Sequence, residues 1–244
     1  MDPLIRVEKL TMGWDGLILQ KDATFDIQKN EVFAVLGGSG CGKSTMLRYL
    51  IGLETPVSGT ISIEGLGHPN LDVGRPPFGV MFQSGALFGS LTVGENVALP
   101  LDQWTDLPED AIGAIVGAKL KLVGLDGSED KLPAEISGGM KKRAAIARAM
   151  ALEPPLLFLD EPSAGLDPAS SVELDELILT LNRVLGLTVV LVTHELPSIF
   201  KIASRCIMLD KDSKTLIAIG DPRELRDSST DPRVHGFFNR EVRS

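Results

Sequence analysis

The chain has 244 residues, 43% hydrophobic and 23% charged, enough for a full core and an ordinary globular composition. A formal net charge of −9 argues against a general nucleic-acid binder, because phosphate contacts need a basic face. Two cysteines, Cys41 and Cys206, suggest no disulfide framework and fit a reducing cytosol. No secretion signal is expected from MDPLIRVEKL, and no apolar run approaches ~18 residues, so any membrane role should come through a partner.

Residues 4–35 alternate apolar and polar, as an antiparallel strand pair would, ahead of a strand over Glu31–Leu36. Trp14, on a Gly-flanked turn of this region, is either an adenine-stacking ring or a core or edge aromatic. Next comes Gly37-Gly38-Ser39-Gly40-Cys41-Gly42-Lys43-Ser44-Thr45, which fits G-x-x-x-x-G-K-[ST] between that strand and a helix opening at Thr45–Ile51. Glycines let such a loop fold tightly enough to aim backbone N–H groups at phosphate oxygens, and the helix start adds its positive dipole end. Lys43 is expected to reach the β- and γ-phosphates, and the Ser44 hydroxyl to ligate Mg²⁺.

Short strands follow at Thr60–Glu64 and Phe78–Phe82. Gln83, just after the second, is placed to orient water or contact Mg²⁺. From about Ser84 to Ala151 the pattern turns helical, with runs near Glu95–Leu99, Pro108–Val123 and Gly139–Leu152. Ser137 is a good N-cap for the last of these, and Gly138 and Gly139, before Met140, expose backbone N–H groups as a second phosphate-facing helix start. Lys141, Lys142 and Arg143 crowd the first turn, where positive charge opposes the dipole. They form a solvated basic face, or else nearby nucleotide or partner acids offset them.

Strand–helix alternation then resumes. Leu156–Leu159 is an apolar strand ending in Asp160 and Glu161. A carboxylate at that edge beside the phosphate loop can hold Mg²⁺ through water, the role given to Asp160; Glu161 is expected to polarise the water that attacks the γ-phosphate. Ser163–Asp167 reads as a loop, Pro168–Leu185 as a helix, and Thr188–Val192 as a strand followed by His194, which could hydrogen-bond the γ-phosphate. Arg205–Leu209 and Thr215–Ile219 are the last strands. Apolar strands at 32–36, 156–159 and 189–192 suit a parallel sheet covered on both faces. The predicted fold is α/β, a nucleotide-binding core with a helical insertion.

These motifs, in this order, resemble the ATP-binding-cassette (ABC) ATPases over nearly the whole chain. GGSGCGKST matches their Walker A, Gln83 their Q-loop and ISGGM their signature. LLFLDE matches their Walker B, SAGLD with Asp167 their D-loop, and His194 their switch histidine. The resemblance implies a P-loop NTPase (RecA-like) core at 1–83 and 152–226 with an N-terminal antiparallel β-subdomain, an α-helical subdomain at 84–151 and a tail at 227–244. It also implies a head-to-tail homodimer, with ATP between one subunit's Walker A and its partner's Ser137, Gly138, Gly139 and Met140, so that the partner's Ile136 approaches Cys41.

A narrower resemblance lies in FQSGALF at 82–88, ENVALPL at 95–101, the SGGM ending, and Asp231-Pro-Arg-Val234 with Phe237. These look like the Mla-type ATPases of mammalian-cell-entry (MCE) transporters, which move phospholipids between the membranes of Gram-negative bacteria. That implies an integral-membrane MlaE-like permease, an MCE-domain substrate-binding protein, a small STAS-domain regulatory subunit, and a place on the cytoplasmic face of the inner membrane. An ATPase for a small-solute importer would share the same nucleotide motifs, whereas a soluble ABC ATPase acting on DNA or ribosomes would call for a coiled-coil insertion, tandem cassettes or a basic face.

Overall fold

A computed structural model describes residues 2–14, 16–71 and 74–239. Its elements in chain order are β1 (Ile5–Trp14), β2 (Leu17–Ile27), β3 (Val32–Gly37), α1 (Lys43–Leu50), β4 (Ser58–Ile63), β5 (Phe78–Met81) and α2 (Val93–Trp104). Then follow α3 (Glu109–Leu122), α4 (Gly138–Ala149), β6 (Leu156–Asp160), α5 (Pro168–Leu185), β7 (Thr188–Val192) and α6 (Leu196–Ile202). The chain closes with β8 (Arg205–Asp210), β9 (Thr215–Gly220), α7 (Pro222–Ser228) and α8 (Pro232–Asn239). They form two units, one of Met1–Pro76 with Thr188–Ser244 and one of Pro77–Leu187. The tail expected at 227–244 runs beyond the described residues from position 240.

In the first unit β1 lies between β2 and β4, antiparallel to both. Ile5 and Val7 stand opposite Ile27 and Phe25 on one side and Ile63 and Ile61 on the other, which gives that sheet one apolar face. β3 runs parallel to β7 and β8, and β9 closes the edge antiparallel to β8. Every residue of β3 and β7 is buried, the reason both read as unbroken apolar runs. Phe25 of β2 stacks on Phe33 of β3 at 5.8 Å, and the Arg205 guanidinium covers Phe33 while pairing with Glu31 at 3.1 Å. Burial raises the Glu31 carboxyl pKa despite that cation. Under β3, Leu36, Met208, Ile199, Val234 and Phe238 form one buried cluster, so α6 and α8 are part of this core.

In the second unit β5 and β6 pair in parallel from Phe78↔Leu156 to Met81↔Leu159. Gly79 is required there because a Cβ would strike the Ala149 carbonyl at the end of α4. The run expected at Glu95–Leu99 is longer than its sequence suggests. Thr92 and Glu95 form a capping box, and the helix continues through Pro100 to Trp104. Pro100 removes one helical hydrogen bond, and packing of α2 against α3 and α4 outweighs that loss.

Candidate nucleotide site

The phosphate loop leaves β3 at Gly37, whose φ of 145° and crowded surroundings both demand glycine: a Cβ would meet the Leu209 carbonyl and the Cys41 thiol. Gly42, at φ 100°, turns the chain into α1 and offers no side-chain cap to the helix start. A phosphate oxygen suits donors left in that way. The Lys43 ammonium folds back onto the Gly37 and Gly38 carbonyls at 3.0 and 3.1 Å. Gly38, Ser39 and Gly40 are exposed, whereas Ser44 and Thr45 open the helix.

Cys41 points inward. It is 1% exposed, and burial pushes its thiol pKa up, which keeps it in the unreactive form. The thiol therefore packs inside its own subunit. Its carbonyl is held by a residue that motif reading passes over: buried Gln20 of β2 donates from Nε2 to Cys41 O at 2.9 Å and to Asp210 O at 3.0 Å. The Asp210 carboxylate is buried and accepts from Arg233 of α8 at 3.1 Å and from the Ser213 backbone and hydroxyl at 2.8 Å. Arg233 also grips Asp231, which lowers that carboxyl pKa to about 2.

Trp14 ends β1, 40% exposed as a residue, with its indole N–H on Glu54 at 3.0 Å. Buried Tyr49 of α1 fixes this corner, since its hydroxyl bonds both the N–H and the carbonyl of Gly13 at 3.1 Å. His194 follows β7 on the exposed surface, Nε2 3.6 Å from Glu195. Trp14, residues 37–45 and His194 all belong to the first unit.

The remaining candidates belong to the second. Asp160 and Glu161 are both 7% exposed at the end of β6, and Glu161 sits in the left-handed region at φ 48°. Strain of that kind concentrates where a side chain must be aimed. Ser137 caps α4, its hydroxyl accepting from Met140 N–H at 3.2 Å, with Gly138 and Gly139 in the first turn. Asp167 caps α5 through Ala169 and Ser170 N–H and takes the Ser170 hydroxyl at 2.5 Å, bonds that hold its carboxyl pKa down.

Two of the three cations after the signature, Lys142 and Arg143, are not a solvated face. Lys142 is buried, and its ammonium donates to the Gln83 and Glu161 carbonyls. Arg143 bonds the Val123 carbonyl and Glu173. The acids beside Lys142 are Asp160 and Glu161 of the same chain, so neither nucleotide nor partner is needed to offset it.

Gln83 has an exposed side chain at the start of a loop held from two sides. Arg148 donates to the Gly85 and Ala86 carbonyls at 2.8 and 2.7 Å. Asn96, fully buried in α2, accepts from Phe88 N–H and donates to the Phe88, Leu91 and Thr92 carbonyls. Asn96 lies inside the ENVALPL stretch used for the narrower resemblance, but only the fold gives it this task.

Among the described residues no group of three or more His, Cys, Asp or Glu is placed to hold a metal ion. Mg²⁺ needs few protein oxygens when substrate phosphates complete its shell, and the Ser44 hydroxyl, Asp160 carboxylate and Gln83 amide are hard donors of the right kind.

Residues 20–164 match the family model described as ABC transporter. The chain is 42% identical over 244 residues to the probable ribonucleotide transport ATP-binding protein mkl of Mycobacterium leprae, covering 98% of this chain and 70% of that protein. The Mycobacterium tuberculosis protein of the same name is also 42% identical, and the chain spans 66% of its length. Identity is 40% over 218 residues to the intermembrane phospholipid transport system ATP-binding protein MlaF of Escherichia coli K12, over 87% of this chain and 80% of that one. Among solved structures, the dimeric ATP-binding cassette MJ0796 in a post-hydrolysis state with ADP and Pi superposes with a TM-score of 0.78 at 29% identity, covering 89% of this chain and 98% of that one.

Proposed function

The chain belongs to the ABC transporter family, and from that premise we propose that it is the ATP-hydrolysing subunit of a membrane transporter that moves phospholipid between the bacterial inner and outer membranes. The observation that carries the lipid assignment is the 40% identity to an intermembrane phospholipid transport ATPase across 87% of the chain. ATP hydrolysis rests on the chemistry of the motifs. Lys43 and the helix start of α1 bind the β- and γ-phosphates, and the indole of Trp14 stacks on adenine. Ser44, Gln83 and, through water, Asp160 would hold Mg²⁺, which would supply charge neutralisation at the phosphates. Glu161 accepts the proton of the attacking water while His194 hydrogen-bonds the γ-phosphate.

Ser137, Gly138, Gly139 and Met140 act on the partner subunit's nucleotide in a head-to-tail dimer, and Asp167 lies on the loop between the two sites. The division of labour is an α/β core at 1–83 and 152–226, a helical subdomain at 84–151 and a C-terminal segment at 227–244. Among the described residues no helix is long and apolar enough to cross a membrane. The chain attaches to the cytoplasmic face of the inner membrane through its permease, which works with an MCE-domain substrate-binding protein and a STAS-domain subunit. In the second unit a groove of about 750 Å³, lined by Leu91, Leu99, Leu107, Ile112 and Val116 with Glu95, Asp102, Glu109 and Glu129, suits a short cytoplasmic helix of the permease.

The test has two parts. Glu161→Gln keeps size and hydrogen bonding but removes the base, so ATP still binds while turnover falls by roughly 10²–10⁴. Deleting the gene leaves excess phospholipid in the outer leaflet of the outer membrane and sensitises cells to detergent. An intact barrier with loss of uptake of one small solute would select the second reading, a small-solute transporter, which the ribonucleotide-transport name of the mkl relatives favours.

A further inference from the structure

Lys142 is the charged group that the proposed chemistry leaves without a task. It sits one turn into α4, the helix that Ser137 opens, and is only 7% exposed. A lysine is rarely buried to that depth unless its charge and donors are matched. Here its ammonium donates to the Gln83 carbonyl and, at 3.3 Å, to the Glu161 carbonyl, with the Asp160 and Glu161 carboxylates as its nearest opposite charges. Burial lowers its pKa and those two acids push it back up. The second bond matters because Glu161 stands at φ 48°, where a non-glycine residue is strained. Its carbonyl is pinned by Lys142 on one side and by Ala164 N–H at 3.1 Å on the other.

Three functional segments therefore converge on one cation, all within the second unit. We propose that Lys142 is a positioning residue for hydrolysis, tying the signature helix to the Gln83 loop and to the backbone of the general base. Displacement of α4 moves Glu161 and Gln83 together. A change at the helix that faces the partner subunit's nucleotide thus reaches both the base and the Gln83 loop. This inference rests on Glu161 being the base, and it goes further by naming what sets that base's position.

The experiment uses the full-length ATPase and reads kcat and KM separately. Lys142→Met keeps length and removes donor and charge together; kcat should fall roughly 10-fold to 100-fold, the scale of a misplaced catalytic group, while KM for ATP stays within about 2-fold. Lys142→Gln keeps a donor without charge and should recover part of the lost kcat. Because Lys142 acts through Glu161, adding Lys142→Met to Glu161→Gln should cost less than about 2-fold more. Wild-type kcat in Lys142→Met, a rise in KM with kcat unchanged, or a further 10-fold loss in the double variant would each overturn the inference. If Lys142→Met fails to fold, the kcat of Lys142→Gln alone and combined with Glu161→Gln carries the same decision. Undiminished turnover in Glu161→Gln by itself would instead overturn the assignment of the base, whatever the Lys142 variants do.

Discussion

Asn96 is the place where a single substitution should separate scaffold from chemistry. Its side chain is completely buried, with Oδ1 2.8 Å from Phe88 N and Nδ2 3.0, 3.2 and 2.9 Å from the Phe88, Leu91 and Thr92 carbonyls. An amide has two N–H donors, so two of the three carbonyls share one of them and three independent bonds remain. Asn96→Leu keeps the volume and removes all three. At about 1 kcal/mol net per neutral bond, with buried partners left unmatched, the loss is about 3 kcal/mol. For a chain of this size each kcal/mol is worth roughly 2–4 °C, so the melting midpoint should drop by about 6–12 °C. Asn96→Asp, isosteric but without the donors, should cost at least as much at neutral pH because a carboxylate then faces three carbonyls. Differential scanning calorimetry gives the midpoint, and amide hydrogen exchange reports whether Phe88 N–H has lost protection. A midpoint shift under about 2 °C with Phe88 protected as in the wild type would refute the reasoning.

Gln20→Met removes both bonds to Cys41 O and Asp210 O at constant volume, and should weaken ATP binding about 10-fold with kcat nearly unchanged; titration with a fluorescent ATP analogue decides it. Asp231 has a folded pKa of about 2 against about 3.9 unfolded, so its pairing with Arg233 stabilises fully above the unfolded value and is lost as pH falls toward 2. The urea midpoints of the wild type and Asp231→Asn should accordingly converge between pH 4 and pH 2, and a constant gap would count against the clamp. For the head-to-tail dimer, Ser39→Cys with Glu135→Cys, both exposed positions, in a Cys41→Ala, Cys206→Ser, Glu161→Gln protein should oxidise to covalent dimers more readily with ATP than without. An intrachain bond and a monomer on a non-reducing gel would contradict it.

Local chemistry explains what could be read beforehand. The strand–loop–helix around Lys43 was legible because glycines, an apolar strand and a helix start occupy consecutive residues, and the buried strands at 156–160 and 188–192 because both their faces are covered. α2 was cut short on paper because Pro100 reads as a stop, while the Thr92–Glu95 capping box that starts it carried the opposite signal. α7 and α8 were missed although Asp221-Pro222 and Asp231-Pro232 repeat the Asp167-Pro168 pattern that begins α5, an N-cap acid followed by proline at the first helical position. The tasks of Gln20, Tyr49, Asn96 and Lys142 were not legible for another reason. Each residue acts on backbone atoms between 4 and 190 positions away, and neither periodicity nor motif encodes such a partner.

The path from Arg233 through Asp210 and Gln20 to the Cys41 carbonyl changes what α8 is for. A stretch that looks expendable is a plug and a fastener at once, since Val234 and Phe238 fill the underside of the strand that launches the phosphate loop. Shortening the protein before Asp231 would open that cavity and strand the Asp210 carboxylate without its cation, some distance from any motif. An affinity tag or fluorescent fusion is therefore better joined beyond Asn239 through a flexible spacer than grafted onto α8. A proteolytic nick within α8, between Arg233 and Phe238, should register as weakened nucleotide binding rather than as a harmless loss of length.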